Sequence, residues 1–142
     1  MKPFLLDVNV IVALFWRSHV HFRAAHLWLA KRRHAGIRTC PITQAGFLRI
    51  VSSGRYSGDR MPISEARATL DELLNMVEHK FWPDHMPLEE ALDQAGPISG
   101  HQQITDAYLL GLAISNGGIL ATFDRGVKAL RGAKGFVEII DG

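Results

Sequence analysis

The sequence predicts an α/β protein in three layers, an α/β/α sandwich whose central parallel sheet lies between helices. Short apolar runs of strand length alternate with helical stretches, and strands joined through helices form parallel sheets. The stretch 104–118 is apolar on nearly every side, as expected of a helix buried on more than one face. A chain of 142 residues with 47% hydrophobic content suits one domain, so residues 1–142 are treated as a single unit.

The chain is expected to begin with a buried strand. Residues 3–8 form a continuous apolar run of strand length, and residues 10–16 either extend this strand or begin a helix. Ser18 is the expected N-cap of the next helix, whose apolar positions recur at helical spacing up to the following glycine. The run 36–43 then predicts a second strand, which Pro41 would end.

The middle of the chain predicts two helices separated by a loop. A helix over 42–54 ends at a glycine, and a polar loop is expected over 52–62. Residues 63–80 show the clearest amphipathic pattern, with Ser64 as the expected N-cap and one apolar stripe. A short strand is expected over 79–83.

The last third repeats the alternation of helix and strand. Residues 87–96 indicate a short helix between a proline and a glycine, and the apolar helix 104–118 ends at two glycines. A strand over 118–124 runs into an aspartate, a short helix is expected over 125–132, and residues 135–140 predict the last strand.

The charge distribution agrees with a polyanionic partner. Lysine and arginine number 16 against 14 acids, for a net charge of +2. Between residues 1 and 60 the only acids are Asp7 and Asp59, whereas arginine and lysine are frequent. A solvated basic helix face explains this pattern equally well.

The sequence carries no sign of an extracellular or membrane protein. Its single cysteine, Cys40, excludes an intramolecular disulfide framework and fits a reducing compartment. The apolar run 4–15 contains an aspartate and is far shorter than the ~20 residues that a membrane span needs. We therefore expect a cytoplasmic protein.

Three carboxylates that are distant in sequence are expected to converge. Asp7 ends the first strand, Asp124 follows the apolar part of strand 118–124, and Asp106 opens the helix that leads into that strand. In parallel α/β sheets, sites form outside the carboxyl ends of the strands. Taken singly, Asp106 (or Thr105) is better explained as a helix N-cap, and Asp124 as a turn residue, than as a ligand. Asp7 is harder to explain in this way, because its neighbours are all apolar.

This acidic constellation predicts a metal site. Three neighbouring anions remain ionised only with a cation among them, and Mg²⁺ or Mn²⁺ prefers such oxygen ligands. Because Mg²⁺ keeps several waters, it can bind a substrate phosphate and polarise an attacking water. An acidic metal site in basic surroundings predicts the hydrolysis of phosphodiesters.

Four segments of the sequence resemble the signature segments of the PIN domain, and more narrowly those of VapC-type toxins of bacterial toxin–antitoxin pairs. They are LLDVNVIVAL, PITQAGFLRIVS, ITDAYLLGLAISNGGILATFDRG and FVEII. The resemblance runs over nearly the whole chain in the family's order and spacing, and its most specific part is residues 104–126.

The resemblance implies a Mg²⁺-dependent endoribonuclease, acting on tRNA or rRNA to inhibit translation. It also implies a small VapB-type antitoxin that blocks the site, and a homodimer. Asp7, Asp106 and Asp124 match three family acids and would be the catalytic metal ligands, with Mn²⁺ as a substitute metal. Asn9 and Thr122 match polar positions beside them and would orient a carboxylate or a metal-bound water.

The sequence departs from the family pattern at Gln44, which stands where a glutamate is usual. Its neutral carbonyl oxygen is a weaker Mg²⁺ ligand than a carboxylate, so we expect a contact through water and leave the number of metals open. Arg49 and Arg55 are candidate contacts for RNA phosphates, although Arg49 could equally pair with a carboxylate to fix the fold. His19 and His21 suggest zinc, but on a helix they would point apart, which favours a surface or packing role.

Two other functions compete with this interpretation. Receiver-like and phosphatase-like domains also place aspartates at strand ends, but such a phosphatase has a second aspartate where this chain has Asn9. A non-enzymatic RNA- or protein-binding PIN domain is the other alternative, with Gln44 as a sign of a weakened site. The three retained acids argue against it.

Overall fold

The structure confirms the predicted α/β fold with a parallel sheet. The computed structural model describes residues 1–54 and 60–141. Five parallel strands lie in the order β3-β2-β1-β4-β5, so that β1 is central and pairs with β2 and β4. The strands are β1 (Phe4–Leu6), β2 (Ile37–Thr39), β3 (His79–Phe81), β4 (Ile119–Thr122) and β5 (Val137–Ile139).

Helices cover both faces of this sheet. The described residues form α1 (Val8–Phe15), α2 (Phe22–Arg32), α3 (Pro41–Ser52), α4 (Ile63–Asn75), α5 (Leu88–Ala95) and α6 (Ile104–Ser115). Within residues 1–54 and 60–141, four short 3₁₀ turns lie at Arg33–Ala35, His101–Gln103, Arg125–Ala129 and Arg131–Ala133. Two of these turns replace the short helix predicted over 125–132, a stretch in which two glycines disfavour a continuous α-helix.

Several predicted helix ends are wrong because backbone geometry, not the nearest hydroxyl, decides them. The helix expected after Ser18 begins only at Phe22, and Ser18 lies in a turn. Helix α4 begins directly after Pro62, whose extended backbone makes it the cap instead of Ser64. Pro41 does not end a strand but occupies the first position of α3, where its missing N–H costs nothing.

Residues 8–15 and 104–106 also settle two open predictions. The first apolar run breaks into a helix immediately after Asp7, so residues 10–16 do not extend the strand. Helix α6 begins at Ile104, which places Thr105 and Asp106 inside its first turn instead of at the cap. In both cases an aspartate, Asp7 or Asp106, lies at the amino terminus of a helix, where the helix dipole favours a negative charge.

Two hydrophobic cores, one on each face, hold the layers together. One core contains Ile11, Trp28 and Phe47 with the apolar faces of α1 to α4. The other contains Leu109 and Leu120 with the residues of α5 and α6. Residues from β1 contribute to both cores, since successive side chains of a strand point to opposite faces.

No helix within residues 1–54 and 60–141 has both the length and the apolar character needed to cross a membrane.

Candidate active site

Asp7 is buried at the carboxyl edge of the sheet, directly after β1. Its Oδ1 accepts a hydrogen bond from the Val8 backbone N at 2.7 Å, which caps α1. Its Oδ2 accepts one from the Thr122 hydroxyl at 2.7 Å. Burial raises the pKa of Asp7 above its usual value, the Asp124 carboxylate raises it further, and the two hydrogen bonds oppose them.

This edge is the topological switch point of the sheet. The chain places β2 on one side of β1 and β4 on the other, and ligands of open α/β sheets bind outside the carboxyl ends at such a point. The strand order 3-2-1-4-5 also differs from the 2-1-3-4-5 order of receiver domains. The receiver-like alternative is therefore wrong.

Thr122 ties the two central strands together at this point. Its hydroxyl donates to Asp7 and accepts from the Asn9 side-chain amide at 3.2 Å and from the Asp124 backbone N at 3.0 Å. The Asn9 carbonyl oxygen accepts from the Phe123 backbone N at 3.3 Å. Asn9 and Thr122 therefore lie beside the acids, and the network orients the Asp7 carboxyl group.

Asp106 and Asp124 complete a cluster of three carboxyl groups. Asp106 is half-buried in the first turn of α6, where its carboxyl feels the charges of Asp7 and Asp124. Burial, followed by the charges of Asp7 and Asp124, raises the pKa of Asp106 to about 7. The Asp124 Oδ1 also accepts from the Gly126 backbone N at 2.8 Å, so this residue serves as a turn cap as well.

The donor chemistry of this cluster suits Mg²⁺ or Mn²⁺. No group of three or more His, Cys, Asp or Glu side chains in the described part of the chain is arranged, as it stands, to hold a metal ion. Instead, burial and the charges of Asp7 and Asp124 favour a proton on Asp106. A divalent cation would replace that proton and relieve the repulsion, and Mg²⁺ needs only one or two protein carboxylates beside its waters.

Gln44 lies on α3, and its side chain contacts Thr39 instead of the three acids. Its side-chain amide donates to the Thr39 hydroxyl at 2.9 Å, and the same hydroxyl contacts the His79 Nε2 at 2.7 Å. No hydrogen bond between Gln44 and the three acids is found among the described residues. Gln44 also borders the surface groove between α3 and α4, which includes Leu48 and Leu70.

Arg49 is an exposed cation on α3. The ion pairs found among residues 1–54 and 60–141 join Arg32 to Glu138 and Arg125 to Asp141, so the carboxylate pair considered for Arg49 is not seen there. The second candidate RNA contact, Arg55, lies outside the described residues.

His21 is a neighbour of the site that the sequence did not reveal. His19 and His21 lie in the turn between α1 and α2, not on a helix as the zinc argument assumed. The His21 ring stacks on Phe123, which directly precedes Asp124, with ring centroids 4.5 Å apart and planes at 10°. In the sequence, the only sign of this contact is that Phe123 directly precedes Asp124, a candidate metal ligand. That His21 packs on Phe123 follows from the fold alone.

The repulsion within the cluster predicts that Asp106→Asn stabilises the metal-free protein at neutral pH. The folded-state pKa of Asp106 lies above its unfolded value, so the folded state binds more protons between about pH 4 and pH 7. Wild-type stability should therefore fall as pH rises through this window, and the asparagine should remove part of that loss. Thermal unfolding of the wild type and of Asp106→Asn in EDTA at several pH values measures both stabilities. If the melting temperatures of the two proteins change equally with pH, the expectation is contradicted.

Comparison with known proteins identifies the family. A family model described as the PIN domain matches residues 4–133. Ribonuclease VapC39 of Mycobacterium tuberculosis is 39% identical over 139 residues, which span 96% of this chain and 98% of that protein. The chain belongs to the VapC group of the PIN-domain family. The phosphatase-like alternative is therefore excluded as well.

Solved structures share the fold of this VapC-family chain at low sequence identity. VapBC2 from Rickettsia felis, bound to a DNA fragment from its promoter, aligns with a TM-score of 0.67 and 18% identity, covering 98% of this chain and 99% of that chain. VapC20 of Mycobacterium tuberculosis, described as a toxin that cleaves the sarcin–ricin loop, aligns with a TM-score of 0.64 and 16% identity over 97% of this chain and 99% of that chain.

Proposed function

We propose that this protein is a Mg²⁺-dependent endoribonuclease toxin of a type II toxin–antitoxin pair, which cleaves tRNA or rRNA to inhibit translation. The observation that carries the proposal is the cluster of Asp7, Asp106 and Asp124 at the carboxyl edge of β1 and β4. Membership of the VapC group supports the reaction, because its relatives are named ribonucleases. The sarcin–ricin loop cleavage described for VapC20 supports a structured RNA as the substrate class.

The chain's own residues would position the reaction. Asp7 is held by two hydrogen bonds, and Thr122 and Asn9 keep its carboxyl from rotating. Asp106 and Asp124 face it and would share the ligation of the metal. When bound, Mg²⁺ or Mn²⁺ polarises the phosphoryl group and lowers the pKa of a bound water. Arg49, exposed on α3, is the proposed contact for an RNA phosphate.

Two protein partners belong to the proposal. The VapBC2 structure supports a VapB-type antitoxin that would cover the acidic site. A homodimer is proposed from the family resemblance. The toxin and its antitoxin would act in the cytoplasm, where the RNA substrate is found.

Incubation of the purified protein with tRNA and rRNA tests the activity. We expect cleavage with Mg²⁺ or Mn²⁺, leaving a 5′-phosphate and a 3′-hydroxyl, and none in excess EDTA. Asp124→Asn should lose activity, whereas the control Asp93→Asn, an exposed acid on α5, should retain it. Cleavage that persists in EDTA would refute metal dependence, and RNA binding without cleavage would favour the binding-module alternative.

A further inference from the structure

The turn between α1 and α2 combines several cationic or hydrogen-bonding side chains without an acid. Residues 17–23 read RSHVHFR and contain two arginines and two histidines. Arg17 and Arg23 are both exposed. Neither arginine takes part in an ion pair within the described part of the chain. The segment itself therefore carries two exposed positive charges and no acid, which complements a phosphate backbone, although Arg23 also borders a cavity that Glu138 and Asp141 line.

His21 fixes this segment beside the candidate active site. Its ring stacks on Phe123, and the Phe123 backbone N donates to Asn9 in the network that holds Asp7. Asp124 is the next residue along the chain. The stack therefore brings the basic turn to the same edge of the sheet as the three carboxyl groups.

Packing alone does not explain a histidine at this position. The His21 Nδ1 is buried, and no hydrogen-bond partner for it is found among the described residues. A buried polar atom without a partner costs stability, and phenylalanine could form the same stack without this cost. This cost suggests a use for the remaining polar atom of the ring, Nε2.

That remaining atom is a hydrogen-bond donor. An unpartnered buried Nδ1 is less costly without a proton, which places the ring hydrogen of neutral His21 on Nε2. The His19 Nδ1 accepts from the His21 backbone N at 3.0 Å, which holds the backbone of the turn at His21. The turn thus contributes the His21 Nε2–H donor between the guanidinium groups of Arg17 and Arg23.

We propose that residues Arg17–Arg23 form a phosphate-binding surface for the RNA substrate, with His21 as a positioning residue that donates from Nε2 to a phosphate oxygen. The inference rests on the proposed function, since it places the surface next to the carboxylates that would cleave the RNA. The proposed contact is with a phosphate other than the reacting one, so we expect it to act on substrate binding.

The decisive variant is His21→Phe, which keeps an aromatic ring against Phe123 and removes both nitrogens. Binding is measured by fluorescence anisotropy with a short labelled single-stranded RNA, in an Asp7→Asn background that does not cleave it. We expect binding to weaken by about tenfold or more, as for one lost hydrogen bond to a charged group, while the melting temperature stays equal or rises. His34→Phe, an exposed histidine before β2, is the matched control and should bind normally.

Two further measurements test the proposal: the steady-state kinetics of His21→Phe and the salt dependence of RNA binding by Arg23→Gln. In the active protein, His21→Phe should raise KM and leave kcat nearly unchanged, as expected when a contact made equally in ground and transition states is lost. Arg23→Gln, at an exposed position, should reduce the slope of log affinity against log salt by about 0.7.

The outcomes separate this inference from the proposed function. Unchanged RNA binding and KM in folded His21→Phe, or an unchanged salt slope in Arg23→Gln, would overturn the phosphate-binding surface while cleavage by the wild type upholds the function. A wild type that binds RNA through this surface but does not cleave it would uphold the surface and refute the nuclease proposal. A lower melting temperature with normal binding would show that His21 only packs.

Discussion

Asp7→Asn is expected to abolish RNA cleavage without unfolding the protein. The substitution removes the charge from the one acid that both central strands hold in place, and with it a proposed metal ligand. Losing an electrostatic group of this kind costs at least about 10²- to 10³-fold in rate, and loss of the metal costs more. We therefore expect no cleavage above background.

The fold should survive this change because asparagine can keep the helix cap that Asp7 provides. Its carbonyl oxygen can accept from the Val8 N–H, and asparagine caps helices as well as aspartate does. The Thr122 hydroxyl already accepts from the Asn9 amide and the Asp124 N–H, so the bond between Thr122 and residue 7 is lost or displaces one of these two. Burial already raises the pKa of Asp7, so removing the charge also removes a desolvation cost.

Cleavage rate and melting temperature, measured on the same preparation, test both halves of the expectation. The matched control is Asp93→Asn, which makes the same chemical change on the exposed surface of α5. Normal cleavage by a folded Asp7→Asn protein would show that Asp7 is only a helix cap. Loss of folding would instead show that the carboxylate itself is required for the structure.

Gly111→Ala is expected to have the largest effect on stability. Gly111 lies in α6 where that helix crosses α5, and a Cβ there would meet the Ala91 carbonyl oxygen at 2.3 Å and the Ala91 Cα at 2.7 Å. Both contacts are with backbone, which can move only if the two helices separate. Replacing glycine by alanine inside a helix would otherwise stabilise it by about 1 kcal/mol.

The steric term should exceed this gain. Overpacking a core costs about 1–3 kcal/mol and more where the neighbour cannot move, so we expect a net loss of about 2 kcal/mol or more in the free energy of unfolding. Urea denaturation measures it. Gly100→Ala, where the added Cβ meets nothing within 4 Å, is the control and should change stability by less than about 0.5 kcal/mol. A similarly small change in Gly111→Ala would mean that α5 and α6 adjust freely.

The pattern of apolar residues determined the class of fold. The sequence contains apolar runs of strand length, such as the one before Asp7, and apolar stripes of helical spacing, such as that of residues 63–80. These patterns depend only on the spacing of apolar residues along the chain, which is why strands and helices were predicted in the right order. Helix ends were predicted less well. Ser18 and Ser64 both have the side chain of an N-cap, but the backbone before Phe22 and at Pro62 sets where those helices begin.

The sequence by itself also singled out Asp7, because an acid among apolar residues is costly unless it has a function. Only the tertiary structure decided what surrounds it. The pairing of Leu6 with Ala121 puts Asp7 beside Thr122, 115 residues away, and brings Asp124 to Asp106. The same register carries Phe123 to His21, whereas the Gln44 amide is taken up by Thr39. These contacts depend on strand register and on side-chain directions in space, and no local spacing along the chain encodes either.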